Sequence, residues 1–320
     1  MTRVAGIDCG TNSIRLLVAD VDPATGELVD LDRRMEVVRL GQGVDRTGRL
    51  APEALDRTLA ATRRYADICA GLGVERTRFV ATSASRDAEN RQDFVDGVRA
   101  ILGVEPEVVA GEEEASLSFR GATSVLAGQH PEPFLVVDIG GGSTELVLGT
   151  TSPVAMLSMD VGCVRLTERH LHADPPTADQ LAAARTDIRA ALDAASAVVP
   201  LGRTATLVGV AGSVTTVTAH AQGLPAYDRD RIHGSSLPVE TVLTACADLV
   251  ARTRDQRAAL PFMHPGRVDV IGAGALVWSE VISRVRAEVA RAGGDLTHVV
   301  TSEHDILDGI ALSAAEPSLR

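Results

Sequence analysis

The feature that most constrains this chain is a short segment that it carries twice. Val4 to Val18 read VAGIDCGTNSIRLLV, and Phe134 to Gly149 read FLVVDIGGGSTELVLG. With Asp8 set on Asp138 the two agree: Asp, an apolar residue, Gly, two small or polar residues, Ser, then an apolar run. Ser13 falls on Ser143 and Arg15 on Glu145. An apolar run that ends in Asp-x-Gly, turns through small residues and resumes is a strand–turn–strand hairpin. Its glycines let the turn's N–H groups point at one spot, a concavity suited to phosphate. The serine adds a donor, and the aspartate at the strand end can hold a divalent cation directly or through water. One copy alone would be an ordinary hairpin. Two copies, 130 residues apart, imply two similar domains that each offer such a loop to a cleft between them.

Composition decides what can fill the loops. All 31 basic residues are arginine, so no phosphate-loop lysine exists, and a phosphate must be held by guanidinium, backbone N–H groups or metal. The net charge of −12 argues against non-specific nucleic-acid or membrane binding. No basic, apolar leader opens the chain, and the longest uncharged stretch, Thr204 to Tyr227, is interrupted by Thr, His, Gln, Gly and Pro. Neither a secretion signal nor a membrane span is expected. Cys9, Cys69, Cys163 and Cys246 are scattered without CxxC spacing and read as reduced core thiols of a cytoplasmic protein.

Strands and helices alternate along the chain, which argues for α/β layering. Strands are predicted at 4–9, 14–20, 36–40, 77–82 and 104–109, with helices at 52–71 and 92–102 and a third opened by GEEEASLSFRGA. The second copy starts strands at 134–138, 144–148 and 154–159, then helices at 164–171 and 177–198, the latter with a capping box, Thr177 and Gln180. A strand at 205–210 precedes a helical remainder and a final strand–helix at 299–315. The turn formers of TSVLAGQHPEP put a boundary near 122–132.

Several other residues carry candidate chemistry. Glu112, Glu113 and Glu114 at a helix start complement the helix dipole. Arg86 follows a strand end, where it would cap or pair locally with Asp87. GAGAL at 272–276 follows an expected strand but lacks the third glycine and later acid of a dinucleotide fingerprint, so close helix–strand packing is its reading. His170 and His172 lack zinc spacing and read as surface residues. AGSVTT at 211–216 is a third phosphate-loop candidate through Gly212 and Ser213. Arg229, Arg231, Arg252, Arg254 and Arg257 read as a solvated face.

The ordered set GIDCGTNSIRLLV, ATSASRDAEN, GEEEASLSFRGA, VVDIGGGSTELVLG, GVAGSVTTVTA, VDVIGAGAL and SEHDILDGIAL resembles the exopolyphosphatase / guanosine pentaphosphate phosphohydrolase (Ppx/GppA) family of the actin-like ATPase superfamily. The resemblance implies two actin-like (ribonuclease H-like) α/β domains with a cleft between them, 1–125 and 126–302, with a C-terminal helix within 303–320 returning to the first. It implies removal of terminal phosphate from inorganic polyphosphate or from pppGpp. Asp8, Gly10, Thr11, Asn12 and Ser13 would bind phosphate with Gly140, Gly141, Gly142, Ser143, Gly212 and Ser213. Glu114 would be the general base and Arg86 the phosphate ligand. Mg2+ would be held by Asp138 and Glu145 with help from Asp8. A homodimer is expected, as is weak dependence on chain length, because longer members carry a further basic helical domain. Two alternatives use the same loops: an ATP-dependent small-molecule kinase, and a catalytically weak ppGpp-binding regulator.

Overall fold

The first repeated segment folds as the hairpin that its alternation requires. β1 (Thr2–Cys9) and β2 (Ser13–Val21) are antiparallel, with Asp8 opposite Arg15. Side chains alternate across a strand. Ala5, Ile7, Cys9, Ile14, Leu16 and Val18 therefore share one core with Tyr65 of helix Pro52–Leu72 and Phe94 of helix Arg91–Leu102. Val4, Leu17, Ala19 and Val21 point the other way, onto Leu307, Ala311 and Leu312 of helix Ile306–Ala314.

The computed structural model describes residues 1–316, which form two compact units. The first comprises Met1–Ser124 and the segment from Ile306. With β3 (Leu28–Val37), β4 (Arg76–Ala81) and β5 (Glu107–Val108) its sheet has the order β3-β2-β1-β4-β5. β1 to β3 are antiparallel neighbours, while β1, β4 and β5 run parallel.

Helix Ile306–Ala314 packs against helix Gly111–Thr123 as well as the sheet. The approach is close: a Cβ on Gly309 would overlap the Leu117 carbonyl. Arg33 of β3 pairs with Asp308 at 2.5 Å, Arg78 donates to Ser313 Oγ (2.8 Å), and Arg76 to the Ala315 carbonyl (3.1 Å). Ser302–Asp305 belong to the other unit, and the last four positions of the 303–320 range lie outside the described residues.

The second unit, Val125–Asp305, repeats this order of elements. β6 (Phe134–Ile139), β7 (Thr144–Gly149) and β8 (Pro153–Met159) form an antiparallel meander, and β9 (Thr206–Val210) lies parallel beside β6. β10 (Ser236–Pro238) and β11 (His298–Thr301) complete the order β10-β11-β9-β6-β7-β8. Every residue of β6, β7 and β9 is buried, which is why those strands read as unbroken apolar runs. Trp278 of helix Ile271–Arg291 is fully enclosed in this core. Duplication thus extends past the loops to a whole meander, crossover and parallel strand.

Three predicted elements differ. The strand placed at 36–40 is β3, which starts eight residues earlier, at Leu28. Val38 and Arg39 instead donate to the loop carbonyl of Asn12. The strand at 104–109 shrinks to β5, with Val109 bonded across to the Ala81 carbonyl. Val268–Val270 is no strand: it follows a short turn of helix at Pro265–Arg267 and leads into helix Ile271–Arg291. GAGAL therefore lies inside a helix, where Gly272 and Gly274 make room for Arg257 and Ser213. Arg257 is itself buried and paired with Asp174 (3.0 Å), so it leaves the solvated arginine face.

Candidate active site

The two loops are built alike. Gly10 N–H donates to the Ser13 carbonyl, and Gly140 N–H to the Ser143 carbonyl, each at 3.0 Å. In the first loop the Thr11 carbonyl accepts from Gly41 N–H (2.8 Å), and the Asn12 carbonyl from Val38 (3.1 Å) and Arg39 (2.8 Å). In the second, the Gly140 carbonyl accepts from Cys163 N–H (3.0 Å), and the Gly141 carbonyl from Val164 (2.8 Å) and Arg165 (3.1 Å). These donors open helix Cys163–His170. Drawing successive carbonyls to one side turns the N–H groups to the other, which makes an anion nest. Gly141 and Gly142 N–H have no partner among the described residues, and the buried Ser143 hydroxyl has none either.

Gly162 lets helix Cys163–His170 come this close, since its Cβ would stand 2.6 Å from Gly142 N and inside the Gly141 carbonyl. Backbone has no rotamer with which to yield. Gly162→Ala is expected to lower kcat/KM by tenfold or more, in line with roughly 1 Å misplacements elsewhere, while circular dichroism remains native. Near wild-type kinetics on inorganic polyphosphate would show that the loop position is unimportant.

In the first unit the remaining groups gather at the C-terminal edge of parallel strands, where open α/β sheets bind ligands. Thr82 N–H bonds the Cys9 carbonyl (3.2 Å), and the Thr11 and Ser83 hydroxyls meet at 2.9 Å. Arg86 lies in the short helix Ser83–Asp87 after β4, and Glu114 in the first turn of helix Gly111–Thr123 after β5. Arg86 Nη1 donates to Glu114 Oε2 (3.1 Å) and to the Val109 carbonyl (3.0 Å), so its partner is Glu114 and not Asp87. Its Nε and Nη2 make no bond among the described residues. Glu114 is only 7 % exposed, whereas Glu112 and Glu113 are exposed and Glu113 pairs with Arg78 (2.5 Å). The glutamate run is thus divided: one acid points inward and two outward.

Asp8 and Asp138 occupy matched positions in opposite company. Arg15, across the strand from Asp8, donates to Asp8 Oδ2 through Nε (2.8 Å) and Nη2 (2.6 Å). Glu145 stands across from Asp138, with both carboxylates buried. Ser158 Oγ donates to Glu145 Oε1 (2.7 Å). Two buried carboxylates facing each other across a strand pair are the oxygen donors a divalent cation takes, with waters and phosphate oxygens completing its shell. Oxygen donors of this kind fit Mg2+ at Asp138 and Glu145, and Asp8 is bound by Arg15. No group of three or more acidic, His or Cys side chains suited to a metal occurs among the described residues.

The third candidate loop begins helix Ala211–Ala221 directly after β9, beside Asp138, which registers with Val210. Gly212 lies flat beneath the Arg267 guanidinium, which also donates to Thr216 Oγ1 (3.3 Å) and sits 5.8 Å from the Tyr227 ring centre. Ser213 packs against Gly274, where a Cβ would overlap its Oγ. Tyr227 OH bonds Glu303 (2.5 Å) and Thr215 (2.8 Å), and burial pushes its hydroxyl up to about 12 and raises Glu303. His170 pairs with Asp187 at 2.7 Å and is no free surface residue. Sequence reasoning missed Arg15, Arg267 and Tyr227. The alignment of Arg15 with Glu145 was the signal that could have found the first.

These features define a protein of the actin-like fold, and comparison with known proteins gives its family. The model of the Ppx/GppA phosphatase family matches residues 17–294, and the chain belongs to that family. It is 53% identical to Exopolyphosphatase 2 of Mycobacterium tuberculosis, over 98% of this chain and 99% of that one. A crystal structure of an exopolyphosphatase-like protein superposes with a TM-score of 0.93 at 47% identity, covering 97% of this chain and 98% of the other. The Ppx/GppA family member of Aquifex aeolicus gives 0.77 at 26% identity, covering 98% and 97%. No helix among the described residues is long and apolar enough to cross a membrane.

Proposed function

We propose that this protein is an exopolyphosphatase that releases orthophosphate from the end of inorganic polyphosphate. The observation that carries the reading is the inward Glu114, fixed by Arg86 at the sheet edge that also presents the first phosphate loop. The identity with Exopolyphosphatase 2 supports the substrate. Glu114 accepts a proton from water as the water oxygen attacks the terminal phosphorus. The P–O bond to the next phosphate breaks, its electron pair stays on the shortened chain, and orthophosphate leaves. The loops at 8–13 and 138–143 hold phosphoryl oxygens through N–H groups, and the unbonded Nε and Nη2 of Arg86 add a planar fork. Mg2+ held by Asp138 and Glu145 would neutralise charge that develops on phosphate oxygens. The 5′-triphosphate end of pppGpp presents the same terminal group and is proposed as a second substrate. Buried, unbridged thiols suit a cytoplasmic setting.

Phosphate release measured side by side on polyphosphates of several lengths, pppGpp and ATP tests this reading. The expected result is release from short and long chains with similar kcat/KM, because a chain of net charge −12 offers little positive potential beyond the loops and screening acts within about 8 Å. A phosphorylated acceptor with ATP would instead make it a kinase, and tight ppGpp binding without turnover a regulator. Chelation by EDTA is expected to abolish release, and Asp138→Asn or Glu145→Gln to raise the Mg2+ concentration at half-maximal rate by tenfold or more, the usual scale for disturbed metal ligation. Full activity in EDTA would remove the cation from the proposal.

A further inference from the structure

Arg165 does more at the second loop than donate its backbone N–H. Its side-chain Nε reaches the Gly142 carbonyl at 2.7 Å. The Gly140 and Gly141 carbonyls are already bound by N–H groups of residues 163–165. Gly142 is the last of the three glycines, and no backbone donor is available for it. With Nε in place, three consecutive carbonyls face the start of helix Cys163–His170, so the Gly141 and Gly142 N–H groups and the partnerless Ser143 hydroxyl share the other side. In the first loop the Thr11 and Asn12 carbonyls are held by the backbone N–H groups of Gly41, Val38 and Arg39. A run of glycines has the greatest freedom to rotate its peptide planes, so the glycine-rich copy is the one that needs a side-chain strap.

We propose that Arg165 is a positioning residue that fixes the peptide plane after Gly142 and so presents the loop's donors to phosphate. The inference rests on the loop's phosphate-binding role. It assigns to Arg165 an action through the loop carbonyl, whatever charge its guanidinium adds nearby.

The test compares Arg165→Met with Arg165→Lys in the full chain, using hydrogen exchange of residues 139–145 with and without inorganic orthophosphate. The matching segment 9–15 serves as the internal control. In the parent protein, orthophosphate is expected to slow exchange in both segments. Arg165→Met is expected to speed exchange at 139–145 about tenfold, the worth of one charged hydrogen bond, and to leave 9–15 unchanged. KM for tripolyphosphate should rise by a similar factor with a smaller change in kcat. Lysine, whose ammonium can still donate to the Gly142 carbonyl, should recover most of both effects. Unchanged exchange at 139–145 in Arg165→Met, or equal change at 9–15, would overturn the strap. Failure of lysine to rescue, in a variant that melts like the parent, would do the same. If the parent released no phosphate from any polyphosphate, the functional reading would fall while the exchange comparison still decided the role of Arg165.

Discussion

Glu114→Gln is expected to lower kcat for polyphosphate hydrolysis by roughly two to four orders of magnitude, the usual contribution of a general base. Glutamine keeps the size of the side chain and can still accept a hydrogen bond from Arg86 Nη1 through its amide oxygen, so the helix start and the Val109 contact are preserved. What it loses is the capacity to take a proton. Substrate affinity should therefore stay near the parent value, and kcat and kcat/KM should fall together. Arg86→Gln makes the complementary case: it removes a phosphate ligand and the anchor of Glu114 at once, so KM should rise as kcat falls. The two substitutions act on bonded partners, and their effects should combine to less than their product. Single-turnover phosphate release with the two single variants and the double variant measures all of this. A Glu114→Gln protein that turns over at near the parental rate would take Glu114 out of the mechanism.

The second large effect concerns stability. Asp308 is 1 % exposed and receives two hydrogen bonds from Arg33, at 2.5 and 3.2 Å. Burial itself opposes the charge on Arg33, but Asp308 and Asp30 more than offset this and raise the guanidinium above its usual range. Removing Asp308 leaves Arg33 only its outer partner, Asp30 at 2.8 Å, and breaking a buried pair costs about 3–5 kcal/mol. Asp308→Ala is therefore expected to lower the melting transition of the first unit by roughly 6–20 °C, at about 2–4 °C per kcal/mol for a domain of its size or larger. The Arg33→Met/Asp308→Leu double variant should regain most of the loss, because an apolar pair of similar volume replaces a buried ion pair at little cost. Calorimetry that shows Asp308→Ala melting with the parent would assign helix Ile306–Ala314 no electrostatic anchor.

What could be read from the sequence was whatever the chain writes locally. Asp-x-Gly with small residues between apolar runs is a local signature, so both hairpins and their loops were visible, as was the Thr177–Gln180 capping box. The run Glu112–Glu114 was visible as a motif, although burial singled out one acid only once Arg86 came to meet it from another strand end. The edge strand β3 was misplaced because its sequence, LVDLDRRMEV, alternates weakly and carries charge, as exposed edges do. The apolar Val38 and Leu40 beyond it looked more strand-like but serve the loop and core. The straps on the loop carbonyls come from residues 23 to 30 positions away, and nothing in their composition marks them. The pairing of Arg15 with Asp8, against Glu145 with Asp138, became meaningful only when register placed each directly across its strand.

Helix Ile306–Ala314 also sets an order of events during synthesis. The unit nearest the N-terminus draws one of its covering helices from beyond residue 305, whereas Val125–Asp305 is continuous. On a ribosome, which releases chain at about 5–20 residues per second, the later unit has its full set of elements before the earlier one does. Until then the faces of Val4, Leu17, Ala19 and Val80 that meet this helix stay uncovered. A nascent chain halted before Ile306 would hold a finished second half joined to an open first half. The apolar face left bare there is the kind of surface that chaperones bind.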